Sequence, residues 1–225
     1  MRICYLSILC AIALIGCECV PNAETPKKIE PTQFGKARIV NCNMRYRGFK
    51  LRAGDIAYER TIDYDAAESP LEKLPAGRVN IRLQSGGDIF INQLADIVRD
   101  SDYVLIAYGE KNFSRMLMLK DDFSAGQPRA RFALVADLPL ADFSLSNGEF
   151  KREYRLLARG ASETEDLPPG VYDVQVTSES LPEIIFKEKL TVEPGFSYLI
   201  AFRGSKGAAG GAPLEIYSVK TPLAK

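Results

Sequence analysis

The chain has 225 residues, with 29 basic against 29 acidic side chains, 46% hydrophobic residues, no histidine and no tryptophan. Without histidine there is no Ser-His-Asp or Cys-His nucleophile, no imidazole zinc ligand and no near-neutral imidazole switch. Balanced charge also argues against a nucleic-acid partner, because that attraction needs clustered excess cations.

The N-terminus reads as an export segment. Arg2 precedes an apolar run from Ile3 to Ile15, the length of a signal-peptide core and too short to span a bilayer. Leu14-Ile15-Gly16-Cys17 resembles a bacterial lipobox, so residues 1–16 are expected to be removed and Cys17 to carry lipid. Two or three acyl chains there would anchor the protein stably in the periplasm, since one alone is marginal. The competing reading is a plain secreted protein. Of the cysteines that would remain, Cys19 and Cys42 could pair in an oxidising compartment, or Cys42 could act as a small hydrophobe. Residues 17–35, rich in Pro, Lys and Thr, read as a polar tether.

Beyond the tether the chain repeats itself. Ala37-Arg38-Ile39-Val40 returns as Ala130-Arg131-Phe132-Ala133, and Leu74-Pro75-Ala76-Gly77 returns as Leu167-Pro168-Pro169-Gly170, both 93 positions on. Leu105-Ile106-Ala107-Tyr108 returns as Leu199-Ile200-Ala201-Phe202, 94 positions on. Landmarks in one order and nearly one register mark two copies of a domain, at 36–120 and 129–222, joined by a linker at 121–128.

Within each copy, short runs of alternating polarity broken by turn residues predict strands. The first copy offers ARIVNC, YRGFKLR, IAYERTID, RVNIRLQ, DIFINQL, DYVLIAYG and FSRMLML. The second offers RFALVA, ADFSLS, FKREYRL, VYDVQVT, EIIFKEKL, SYLIAFR and PLEIYSV. About seven strands per copy, with no room for helical crossovers, predict an all-β protein of two tandem antiparallel β-sandwiches, Ig-like or jelly-roll-like. Val79, Ile81 and Leu83, and in the second copy Val171, Val174 and Val176, are expected to pack one sheet face. The nearly continuous apolar runs DYVLIAYG and SYLIAFR are expected at sheet centres, covered on both faces.

Few segments suggest chemistry. The glycine-rich stretch GSKGAAGGAP, at 204–213, lacks the strand-turn-helix context of a phosphate loop and reads as a hairpin tip. Asp63, Asp65 and Glu68, and Glu163, Glu165 and Asp166, read as acidic surface loops whose spacing matches no calcium loop. Met44 to Lys50 interleaves Arg45, Arg47 and Lys50 with Tyr46 and Phe49, a surface suited to an anionic polysaccharide or a protein partner, or a guard against aggregation on an edge strand. No catalytic residue, metal site or cofactor is expected.

An export signal, a polar leader, two sandwich repeats, the opening strand Ala37-Arg38-Ile39-Val40-Asn41, Leu74-Pro75-Ala76-Gly77 and its second copy, and the junction Asp122-Phe123 to Phe132 together resemble the AlgF family of alginate O-acetylation accessory proteins. A secreted bacterial tandem-sandwich domain of unknown function shares these landmarks. The AlgF resemblance implies a non-catalytic adaptor between a membrane acyltransferase and the periplasmic enzyme that acetylates polymer, acting through sheet edges and the groove between sandwiches. The lipobox departs from the ordinary cleaved signal of that family. The alternative is a structural or adhesive surface lipoprotein that binds protein or glycan directly.

Overall fold

In a computed structural model the described residues are 33–110, 113–123, 127–148, 150–207 and 212–223. They belong to one compact unit, Pro31–Lys225, so the two copies can be placed together. The first copy contains β1 (Phe34–Asn43), β2 (Gly48–Ala53), β3 (Ile56–Asp63), β4 (Leu71–Pro75), β5 (Gly77–Ser85), β6 (Asp88–Ile97), β7 (Asp102–Glu110) and β8 (Phe113–Asp121). The second contains β9 (Arg129–Leu134), β10 (Leu140–Asn147), β11 (Phe150–Ala158), β12 (Ser162–Asp166), β13 (Gly170–Thr177), β14 (Phe186–Val192), β15 (Phe196–Arg203) and β16 (Glu215–Pro222).

Each copy closes two four-stranded sheets over a core, and the two copies have one topology. The orders β4-β1-β7-β8 and β3-β2-β5-β6 in the first are matched by β12-β9-β15-β16 and β11-β10-β13-β14 in the second. Alternation builds the cores directly: Phe49, Leu51, Val79, Ile81 and Leu83 meet Ile39, Leu105 and Ala107 in the first. Phe143, Leu145, Val174 and Val176 meet Phe132, Ile200 and Phe202 in the second. Val171 is 54% exposed and Tyr172 faces inward instead, because a period of two pairs Val174 and Val176 with residue 172 and not with 171.

The expectation of purely antiparallel sheets fails at one pair per copy. β1 runs parallel to β7 and β9 parallel to β15. Parallel neighbours need a long crossover, and here the chain supplies it by building the outer sheet between them. Two strands also escape the alternation pattern, β4 and β12. Each is five residues long and pairs on one side only, β4 with β1 and β12 with β9. Edge strands need no continuous apolar face, so LEKLP and SETED read as loop.

Small devices recur in both copies. The Tyr103 hydroxyl accepts the Val98 amide at 2.9 Å and the Tyr198 hydroxyl accepts the Glu193 amide at 2.7 Å, five residues upstream each time. Gly109 and Gly204 stand at the ends of the matching strands β7 and β15, with φ of 113° and 101°. A Cβ there would lie 1.9 Å from the Phe113 carbonyl oxygen or 2.0 Å from that of Pro213, so only glycine fits.

The four sheets form four layers. Sheet β4-β1-β7-β8 turns its second face toward sheet β12-β9-β15-β16, and Val40, Cys42, Val104, Ile106 and Tyr108 pack there against Ala133, Val135, Leu199, Ala201 and Val219. This third core explains the continuous apolar runs, since β7 and β15 are each covered by an outer sheet and by the other copy. Burying an aliphatic side chain stabilises by about 1.5–3 kcal/mol, so this layer is a substantial share of the protein's cohesion. The segment before β4 adds backbone pairing, with the Ser69 amide on the Lys220 carbonyl and the Lys220 amide on that of Ala67. Asp121, expected in the linker, lies in β8, and Phe123 is buried in the shared layer.

Candidate functional site

Two asparagines at the end of β1 shape the loop that carries the basic and aromatic residues. Asn41 Nδ2 donates to the Tyr46 and Ile62 carbonyls at 2.7 and 3.3 Å, while Asn43 Oδ1 accepts the amides of Arg45 and Tyr46 at 3.0 and 3.4 Å. Asparagine does this because its short amide imitates a turn of backbone. The signal for this turn in the sequence is Asn41 at the end of the opening strand.

The loop presents Arg45, Tyr46 and Arg47 together. Tyr46 stacks on Phe90 with centroids 4.0 Å apart, and the Arg45 guanidinium lies 5.1 Å from the Tyr46 ring. Arg47 sits 4.7 Å from the Tyr64 ring and 3.9 Å from Asp65. Lys50 stands apart on β2, paired with Glu59 at 3.2 Å. Phe49 is core, 1% exposed, so it contributes nothing to a surface. β2 lies between β3 and β5, which removes the edge-guarding role for Lys50.

Outward from the core, each outer sheet carries a cleft in the same place. In the first copy a bulge between Lys50 and Arg52 opens a cleft of about 370 Å³ lined by Lys50, Arg52, Tyr58, Glu59, Thr61 and Gln84. In the second a bulge between Ala141 and Phe143 opens one of about 430 Å³ lined by Asp142, Ser144, Glu153, Arg155, Gln175 and Glu179. The register is shared: Lys50 opposes Gln84 where Asp142 opposes Thr177, and Arg52 opposes Arg82 where Ser144 opposes Gln175. The two clefts therefore differ in charge while keeping their geometry. Leu156 has a φ of 54° beside the second cleft, where its backbone N–H donates a hydrogen bond to Asp142 Oδ1 at 2.6 Å.

The acidic segments are engaged in pairs. Asp65 reaches Arg203 at 3.3 Å and Glu68 reaches Lys220 at 3.5 Å. Glu163, Glu165 and Asp166 are not in a loop but on β12, where Glu165 accepts the Tyr154 hydroxyl at 2.8 Å and Asp166 meets Arg129 at 2.7 Å. Among the described residues no group of three or more metal-ligating side chains is assembled. Cys17 and Cys19 lie outside the described residues. Cys42 is a free thiol in the shared layer, and burial pushes its pKa up to about 12. The β15–β16 hairpin forms as expected, with residues 208–211 of its tip outside the described residues.

Facing surfaces of the two copies, anticipated as an open groove, are mostly filled. Two buried arginines stand in them. Arg203 lies with its guanidinium 3.6 Å from the Tyr64 ring and 3.6 Å from the Tyr217 ring, bonded to the Asn41 and Tyr64 carbonyls, Asp65 and Glu215. Arg38 is fully buried, reaches Asp121 at 3.4 Å and shares that carboxylate with Arg131, while among the described residues its Nε and Nη1 have no hydrogen-bond partner. Neither was legible as an interface residue, because the partners that tie the copies together, Asn41, Tyr64 and Asp65 for Arg203 and Arg131 across Asp121 for Arg38, are remote in sequence.

No family model matches the chain, and no curated protein matches it. Among solved structures it is similar to the Bacillus anthracis TIE protein, at 13% identity and a TM-score of 0.27, over 77% of this chain and 34% of that one. It is also similar to a suggested cell adhesion protein from Bacteroides uniformis, at 10% identity and a TM-score of 0.30, over 85% of this chain and 99% of that one. A leucine-rich repeat protein from Bacteroides thetaiotaomicron matches at 11% identity and a TM-score of 0.20, over 85% of this chain and 27% of that one. The chain thus spans about a third of the length of the first of these. Similarity at this level carries no functional argument.

Proposed function

We propose that the chain is a non-catalytic adaptor of the cell envelope, anchored through lipid on Cys17, that links proteins acting in O-acetylation or export of a secreted polysaccharide. The AlgF-like landmarks motivate the pathway. The observation that carries the adaptor reading is the fusion of two sandwiches of one topology through a shared apolar layer. An adaptor must hold two partners at a fixed spacing, and a filled layer supplies that where a bare linker would not. It leaves the two outer sheets and the Arg45 loop as the surfaces available to partners.

The test is a gentle detergent pull-down of the full-length protein with mass spectrometry of its companions and its own N-terminus. A polytopic acyltransferase or an acetylesterase-like enzyme is the expected companion. Recovery of the lipidated protein alone, together with unchanged polymer acetylation on deleting it, would instead favour a free-standing adhesive surface lipoprotein.

A further inference from the structure

We propose that the free edge of β6 is a self-association surface, where two molecules of this chain pair their β6 strands antiparallel about a two-fold axis at Leu94. The inference goes beyond the adaptor reading and does not depend on it.

Eight strands stand at the edges of the four sheets, and seven of them are guarded. Charge or proline recurs along each: β14, which holds in the second copy the place of β6 in the first, carries Lys187, Glu188 and Lys189. Such residues make an added strand costly, which keeps an edge single. β6 runs from Ile89 to Ala95 with neither, the longest such stretch on any of the eight. Because the same place is guarded in the second copy, the fold does not require the bare edge. Ile89 and Leu94, and Val98 just past the strand, are 50–53% exposed. Among the described residues β6 pairs with β5 alone, so alternate residues turn their N–H and C=O groups away from the sheet.

The sequence of β6 is complementary to its own reverse. A bulge at Phe90 sets where regular pairing begins, since Ile89 and Ile91 oppose the adjacent Gln84 and Leu83. From Ile91 the alternation is strict: Ile91, Ala95 and Ile97 are buried, and Asn92, Leu94 and Asp96 face solvent. An antiparallel pair that uses this whole stretch and keeps inward residues opposite inward ones has one register. It sets Ile91 against Ile97, Gln93 against Ala95, Asn92 against Asp96, and Leu94 against Leu94 on the axis. The Asn92 amide donates to the Asp96 carboxylate, twice by symmetry, and the two leucines cover each other. On β5, Arg82 stands opposite Asn92 and Arg78 opposite Asp96. Across the joined sheets the outward row therefore reads Arg82, Asn92, Asp96, Arg78, with the carboxylate between an amide and a guanidinium and no like charges adjacent. A slip of two residues would shorten the ladder and set Asp96 against Leu94 or Phe90. On the inward side, a cleft of about 470 Å³ lined by Ile91, Gln93, Ser114, Arg115 and Met116 leaves room for side chains of the added strand, and methionine adapts to what enters.

The experiment is sedimentation equilibrium of the full-length protein in density-matched detergent across micromolar concentrations, for the wild type, L94K, N92D and N92D/D96N. The wild type is expected to show a reversible equilibrium between one molecule and two. L94K sets two ammonium groups together on the axis and N92D sets Asp against Asp96 twice, and each should weaken the dimer by about tenfold or more. N92D/D96N exchanges the pair and should restore the dimer, which a merely sticky edge would not do. All three positions face solvent, so melting temperatures should match the wild type and separate loss of association from loss of fold. A wild type that stays monomeric, an association that L94K leaves unchanged, or a loss in N92D that N92D/D96N fails to rescue would each overturn the proposal. A monomeric wild type that loses a pulled-down companion on L94K would hand the edge to a strand of another protein: the dimer would fall and the adaptor reading would stand. Dimerisation without any companion would uphold the edge and count against the adaptor.

Discussion

Arg203 and Arg38 are both buried between the two copies, and they are solved differently. Arg203 is 3% exposed and its guanidinium is surrounded by acceptors and ring faces: two carbonyls, two carboxylates and two tyrosines. Arg38 is 0% exposed, with one shared carboxylate 3.4 Å away, the Phe123 ring 5.3 Å away and, among the described residues, no hydrogen-bond partner for two of its nitrogens. Burial lowers the Arg38 pKa to about 10, with Asp121 only partly offsetting it. The lesson is that a buried charge ties domains together only when its surroundings replace the water it lost. Arg203 is a clamp. Arg38 is a cost that the surrounding apolar layer carries.

The largest effect should come from breaking the poor site on its acid side. Asp121→Asn takes away the carboxylate that buried Arg38 and half-buried Arg131 share, and should cost about 3–5 kcal/mol in urea unfolding. Arg203→Met should follow, at about 3 kcal/mol, through lost hydrogen bonds to charged groups and to the carbonyls of Asn41 and Tyr64. Alkali should act more gradually. Cys42 titrates near 9 when unfolded and about 12 when folded, so its contribution is full below pH 9 and is lost as pH rises toward 12. The slope is about 1.4 kcal/mol per pH unit, and Cys42→Ala should remove it between pH 9 and 10.

Arg38 has the opposite sign. Its folded pKa is depressed, so its burial opposes folding below pH 10 and that opposition eases as pH rises above 10. Arg38→Met should therefore change stability at neutral pH by no more than about 1 kcal/mol in either direction and should steepen the loss above pH 10. If Arg38→Met proved as costly as Arg203→Met, the contrast between the two sites would be wrong. The smallest change expected is in R52Q/R82Q, a gain of about 0.2–1 kcal/mol from relieved repulsion across β2 and β5.

Much of this fold is written locally. Strands such as IAYERTID and DYVLIAYG declare themselves because one face, or both, must be apolar. LEKLP and SETED do not, since an edge strand can be held by backbone bonds alone. The runs in β7 and β15 state that both faces are covered and leave open by what, because hydrophobicity has no address. The site was less legible still. Arg45 and Tyr46 could be picked from composition, yet Phe49 beside them points inward, a matter of strand parity. The clamp joins Arg203 to Tyr64, 139 positions earlier, and no local pattern links them. The charge difference between the two clefts becomes visible only when Lys50 and Arg52 are aligned with Asp142 and Ser144 through the cross-strand register.

The central claim is that the two copies are one body because of the layer around Cys42. It is tested most directly by labelling the Cys42 thiol, in a chain whose other cysteines are serine, across sub-denaturing urea concentrations. Opening of the layer should show the free energy and the denaturant slope of global unfolding, because Cys42 is reached only when the copies separate and lose their cores together. Fast labelling that is insensitive to urea would mean that the sandwiches part while each stays folded, and would contradict the account.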